Sequence, residues 1–79
     1  MKYYLYIIIC DDKYLYTGIT NDLSKRISEH RNGKCPLTKN RDNIKLVYKE
    51  GFSTRIEAAK REKEIKGWRR SKKEQLFNK

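Results

Sequence analysis

The chain has 79 residues, 37% of them apolar, and its 20 Lys and Arg against 10 Asp and Glu leave a formal net charge of +10. This length allows one small domain (residues 1–79) whose core has little to spare. No apolar run approaches the ~20 residues that span a bilayer, and 11% aromatic content with four Gly and one Pro argues against a disordered basic tail. The surplus charge favours a polyanionic partner, nucleic acid ahead of an acidic membrane surface. It is spread along the chain, +4 over residues 1–53 and +6 over residues 54–79, so it is not an appended tail. Cys10 and Cys35 form no CxxC pair, and His30 is the single histidine. A structural zinc site is therefore not expected, and both thiols read as reduced in a cytoplasmic protein.

Residues 3–9 are aromatic and β-branched and predict a strand. A turn over 10–13 returns the chain as a second strand from Tyr14 to Ile19. In the first strand Tyr4, Tyr6 and Ile8 share one face while Leu5, Ile7 and Ile9 share the other. The aliphatic face suits a core; the tyrosine face calls for another explanation. Thr20-Asn21-Asp22 supplies an N-cap for a helix carrying Leu23, Ile27 and His30 at helical spacing and ending at Asn32-Gly33. A polar loop of about ten residues follows, long enough to suspect a role in function. Ile44–Lys49 alternates as a third strand. Thr54 with Glu57 is a capping box that opens a helix to Lys66, and Ser71 with Glu74 is a second box before a short terminal helix. The order β-β-α-β-α-α predicts an α+β fold with one small sheet.

Within the helix over 54–66, Glu62 falls between Ala58 and Ile65 on one stripe, where a carboxylate is costly unless paired with a cation or a metal. Lys66, at i+4, is the ordinary partner. On the first helix Arg26 and His30 are i,i+4 neighbours bordering the Leu23–Ile27 stripe, able to face the sheet together. Trp68 after the second helix reads as an aromatic packed beneath the next helix, ahead of a platform for an unpaired base.

Tyr4-Leu5-Tyr6, nine residues, and then Tyr16-Thr17-Gly18 resemble the paired signature of the GIY-YIG nuclease family. Gly18-Ile19-Thr20-Asn21-Asp22-Leu23, then Arg26, His30 and Glu62, continue the likeness over nearly the whole chain, in the manner of the small stand-alone branch. Tyr4 stands where the family name has Gly, and Asn78 is the nearest candidate for a late asparagine. The resemblance implies a three-stranded antiparallel sheet flanked by helices and metal-dependent phosphodiester cleavage. It gives Tyr6, Tyr16, Arg26, His30 and Glu62 as catalytic residues, with Glu62 as ligand of one Mg²⁺ or Mn²⁺ ion. Such an ion keeps several waters and binds phosphate oxygens beside one carboxylate. Arg26 would donate to the phosphoryl group as charge accumulates, and Tyr6 would act as general base. A phenol of ordinary pKa, about 10, needs nearby cations for that task. His30 would accept or relay the proton, Tyr16 would orient water or phosphate, and Gly18 would permit close backbone approach.

Lys66, Arg69, Arg70, Lys72 and Lys73, with Lys34, Lys39 and Arg41 in the loop, would hold the nucleic-acid backbone. The expected protein is an endonuclease acting on DNA, structure- or single-strand-selective, with a role in repair or recombination borrowed from the family. No membrane and no small-molecule cofactor are expected. A non-catalytic or weakly catalytic nucleic-acid-binding module on the same fold is the alternative.

Overall fold

The computed structural model describes residues 2–11, 13–33 and 43–78. Three strands, β1 (Tyr3–Cys10), β2 (Tyr14–Thr20) and β3 (Lys45–Phe52), and three helices, α1 (Leu23–Arg31), α2 (Arg55–Lys66) and α3 (Arg70–Glu74), follow the expected order. The sheet is antiparallel with spatial order β2-β1-β3, so β1 is central and both neighbours are edges. The loop with Cys35, Lys34, Lys39 and Arg41 lies outside the described residues.

Alternation along β1 sends its side chains into two cores. Tyr6, Ile8 and Cys10 meet Ile27 of α1 and Ile44, with Tyr16 and Leu23 against them. Leu5 and Ile7 meet Ile65 of α2 on the opposite face, joined by Ile19, Trp68, Leu76 and Phe77. The tyrosine face is thus covered as the aliphatic one is: α1 roofs it, and α2 with the residues flanking α3 covers the other. Leu5, Tyr6, Ile7 and Ile8 are all 0% exposed. Burial of four such side chains contributes roughly 6–12 kcal/mol gross, comparable with the entire net stability of a small domain. The fold is built around β1.

β3 runs three residues past its expected end at Lys49. Its register shifts between Ile7, opposite Tyr48, and Ile8, opposite Leu46, which leaves Val47 as the extra residue of a bulge. The bulge lets the consecutive residues Val47 and Tyr48 both reach the second core.

The helix boundaries follow local chemistry. Asp22 Oδ1 accepts from the Lys25 N–H at 3.1 Å and caps α1. At the other end Gly33, with φ 72°, takes the left-handed conformation that lets its N–H donate to the His30 carbonyl at 3.2 Å. Thr54 Oγ1 accepts from the Glu57 N–H at 3.3 Å and donates to the Glu57 carboxylate at 3.0 Å, so Thr54 caps α2 as expected, with the Glu57 side chain turned to the hydroxyl. The expected Ser71 cap does not form. α3 starts two residues earlier, with Arg69 as an N-cap that makes no side-chain bond. Arg70 instead pairs with Glu74 at 3.4 Å and donates to the Lys13 carbonyl of the β1–β2 turn.

Candidate active site

Tyr6 and Gly18 face each other across the β1–β2 ladder. A Cβ on Gly18 would lie 2.6 Å from the Tyr6 hydroxyl oxygen and 2.8 Å from Cζ. Glycine is required here because the Tyr6 ring lies directly over it; the close approach that this residue permits is that of Tyr6. The ring therefore crosses towards the β2 edge, where α1 meets it. His30, 1% exposed, places Nε2 3.0 Å from the Tyr6 hydroxyl. One turn earlier, Arg26 Nε donates to the same oxygen at 3.3 Å. Tyr16 completes the cluster, its ring centroid 5.2 Å from that of His30 and 6.3 Å from that of Tyr6.

Burial, and then the Arg26 charge, hold the His30 imidazole below its ordinary pKa, against a smaller upward pull from Glu29. The ring is therefore neutral near pH 7, and one nitrogen is an acceptor.

Glu62 lies in the other layer. Its side chain is 23% exposed, and its carboxylate pairs with Lys66 at 3.3 Å, the i,i+4 partner the spacing suggested. No group of three or more His, Cys, Asp and Glu gathers among the described residues. One accessible carboxylate nevertheless fits a hard divalent ion that takes its remaining ligands from water and phosphate.

The α1 and α2 layers meet at the end of β2, in a cleft of about 380 Å³. Thr20, Asn21 and Asp22 form one wall, with Lys25, Arg26 and Glu29 of α1 and Arg55 of α2 around it. Arg26 thus reaches both the Tyr6 hydroxyl and this cleft. Sequence reasoning missed Arg55 and Lys25. Arg55 stands seven residues before Glu62, on the same face of α2, and that spacing was the available signal.

A second polar group, also unforeseen, ties α2 to β3. Arg61 grips Glu50 with two nitrogens at 3.1 Å, and the Tyr48 hydroxyl donates to the same carboxylate. Burial alone would raise the Glu50 carboxyl, but the hydrogen bonds from Arg61 and Tyr48 outweigh it and hold the pKa down. The Arg61 guanidinium also lies 5.2 Å from the Trp68 ring centroid, with Lys72 Nζ at 4.3 Å. Trp68 packs on the second core, as expected, with cations against its ring. Lys66, Arg69, Arg70, Lys72 and Lys73 accompany α2 and α3, across the sheet from the α1 roof. The structure does not bring them to the Tyr6 cluster. Asn78 is exposed after α3.

Comparison with known proteins agrees with this arrangement. The GIY-YIG catalytic domain matches residues 2–75. A UPF0213 protein of Staphylococcus saprophyticus is 49% identical over 78 residues, covering 98% of this chain and 95% of the relative. One from Haloquadratum walsbyi is 45% identical over 75 residues, covering 94% of this chain and 84% of its own length. Among solved structures, the solution NMR structure of a UPF0213 protein from Bacillus halodurans superposes with TM-score 0.62 at 42% identity, over 96% of this chain and 82% of that one. A solution NMR structure from E. faecalis gives TM-score 0.67 at 34% identity, over 95% and 81%. With the signature tyrosines, the α1 pair and the sheet order in place, the chain belongs to the GIY-YIG family, a family of nuclease-type domains acting on nucleic acid.

Proposed function

We propose that this protein is a divalent-metal-dependent endonuclease that hydrolyses phosphodiester bonds of DNA in the cytoplasm, selecting structure or single strands rather than sequence. The observation that carries the reading is the hydrogen-bonded line Arg26–Tyr6–His30. Arginine only donates, so the Tyr6 oxygen accepts from it; with the neutral imidazole in its Nδ1–H tautomer, the phenol proton is directed to Nε2. Tyr6 is 0% exposed, so a water must first be admitted to its oxygen; that water can then lose its proton to the phenol oxygen as the phenol proton passes to His30. Water oxygen forms the new bond to phosphorus, the bond to the leaving oxygen breaks, and the leaving oxygen takes a proton from solvent, while His30 later returns its own proton to solvent. The Arg26 guanidinium stabilises charge on the phosphoryl oxygens, and Tyr16 orients water or phosphate. Glu62 would hold one Mg²⁺ or Mn²⁺, which when bound adds positive charge beside the phosphoryl oxygens.

The Glu62–Lys66 pair supports a second reading, a binding module on the same fold. End-labelled single-stranded, duplex and branched DNA, incubated with Mg²⁺, Mn²⁺ or EDTA, separates the two. Metal-dependent cutting by the wild type that disappears in Glu62→Gln, with binding retained, is the expected result. Intact DNA under every condition, with salt-sensitive binding in both proteins, would leave the binding module. Cutting retained by Glu62→Gln would overturn the metal-site assignment.

A further inference from the structure

We propose that the cleft beyond Arg26 is the seat of a second phosphate of the same strand, the one adjoining the phosphate that is cut, and that Arg55 and Lys25 are its ligands. The inference rests on reading the protein as acting on a nucleic-acid strand. Arg26 joins the two positions: its Nε is on the Tyr6 hydroxyl, and its side chain lines the cleft, whereas Tyr6 does not. A strand with one phosphate at Tyr6 and Arg26 must continue past Arg26, and the cleft lies there.

The charges around the cleft are arranged to receive an anion. Of its two carboxylates, Asp22 is engaged in capping α1. Glu29 makes only a 3.5 Å pair with Arg26, in which both side chains are about a third exposed. Exposed pairs of that kind are weak, and a phosphodiester can displace Glu29. The Lys25 ammonium and the Arg55 guanidinium have no ion pair or hydrogen bond with any described residue, and both face the cleft.

Their positions are also the wrong ones for helix stability. Lys25 is in the first turn of α1, which contains no acidic residue, and Arg55 is the first residue of α2. Cations there oppose the helix dipole. The dipoles are partly met from within, by the Asp22 cap of α1 and by Glu57 in the first turn of α2, and an anion shared by Lys25 and Arg55 would add to that compensation.

The test uses the full chain and a fluorescein-labelled 12-nucleotide single strand in EDTA, with affinity read by anisotropy across a salt series. Arg55→Ala should weaken binding about tenfold at low salt and reduce the slope of log affinity against log salt by about 0.7, the value for one single-strand phosphate contact. Arg55→Lys should restore most of that slope. Because Arg55 is exposed, unpaired and opposed to the dipole, the melting temperature of Arg55→Ala should not fall. A methylphosphonate, which neutralises one phosphate, should weaken the wild type at one position where it has no effect on Arg55→Ala. Wild-type affinity and slope in Arg55→Ala would overturn the proposal, as would equal methylphosphonate sensitivity of both proteins at every position. Cleavage by the wild type in Mn²⁺ is scored separately. Absent cutting with the Arg55 effect intact removes the nuclease reading and leaves the phosphate site; cutting without the Arg55 effect does the reverse.

Discussion

Replacing Gly18 by Ala tests whether the Tyr6 hydroxyl is held where the candidate chemistry needs it. The new methyl carbon would stand 2.6 Å from the hydroxyl oxygen, 2.8 Å from Cζ and 3.1 Å from Cε1. Ordinary contacts are about 3.5–4.0 Å, so the oxygen must withdraw by about an ångström. A flexible side chain would yield at little cost. Tyr6 is 0% exposed, walled by Ile8 and Ile27 and held by His30 and Arg26, so it has little freedom to move. Overpacking of this kind costs about 1–3 kcal/mol, and losing the hydroxyl's buried hydrogen bond adds about 1 kcal/mol. Gly18 is not in the left-handed region, so Ala returns about 0.4–1 kcal/mol through the unfolded chain. The net expectation is a destabilisation of about 1–3 kcal/mol, a fall in Tm of roughly 5–20 °C for a domain of this size. Cleavage should fall further than stability, measured where the variant remains folded. The assay is thermal and denaturant unfolding of Gly18→Ala alone and in a Tyr6→Phe background. Removing the oxygen relieves the closest contact, so the second cost should be smaller by about 1 kcal/mol. An unchanged Tm, or the same cost in both backgrounds, would refute the close-approach account of Gly18.

Arg26→Ala should depress kcat more than affinity, because the proposed donation to the phosphoryl group would strengthen as charge develops; equal loss in both would reduce Arg26 to a backbone contact. His30 has its pKa lowered by burial and by Arg26, so the unfolded chain binds the extra proton more readily. Its stabilising contribution is complete above the unfolded value of about 6.5 and declines as pH falls below it. Melting between pH 7.5 and 5.5 should show this decline in the wild type and a flatter profile in His30→Gln; parallel profiles would contradict a neutral buried imidazole. Glu50→Gln removes the charge from the two-nitrogen grip of Arg61. Discounted for partial exposure, that costs about 1 kcal/mol, or roughly 4–8 °C in Tm, and an unchanged Tm would show the pair to be ornamental to the fold.

The legible part of the fold was that governed by local pattern. Period-two alternation located β1 and β2, and Asp22, Gly33 and Thr54 marked helix ends through backbone hydrogen bonds formed by near neighbours. The failures share a cause. Ser71 had the right partner at the right distance, yet Arg70, drawn to the Lys13 carbonyl 57 residues away, begins the helix first. The tyrosine face was left uncovered in the sequence reading because the α1 stripe gives no indication of which side of the sheet it will cover. The Val47 bulge is a property of two strands and has no signature in one. Within the site, Arg26 and His30 were legible as a helical pair, and their meeting with Tyr6 followed from the family signature. Arg55 had a spacing signal from Glu62, but Lys25 and the Glu50–Arg61 grip depend on tertiary convergence and could not be read from spacing.

Tyr6 is set in the central strand, in register with Gly18 and beneath α1, and this has a kinetic consequence. Amides of β1, paired on both sides, should exchange more slowly than those on the outer side of the edge strand β2. The hydroxyl is therefore held on both sides of the ladder, with the phenol and imidazole buried and Arg26 alone of the three reaching the cleft. What a substrate must still organise is confined to side chains at the β2 margin, whose rearrangement takes nanoseconds rather than the lifetime of the fold.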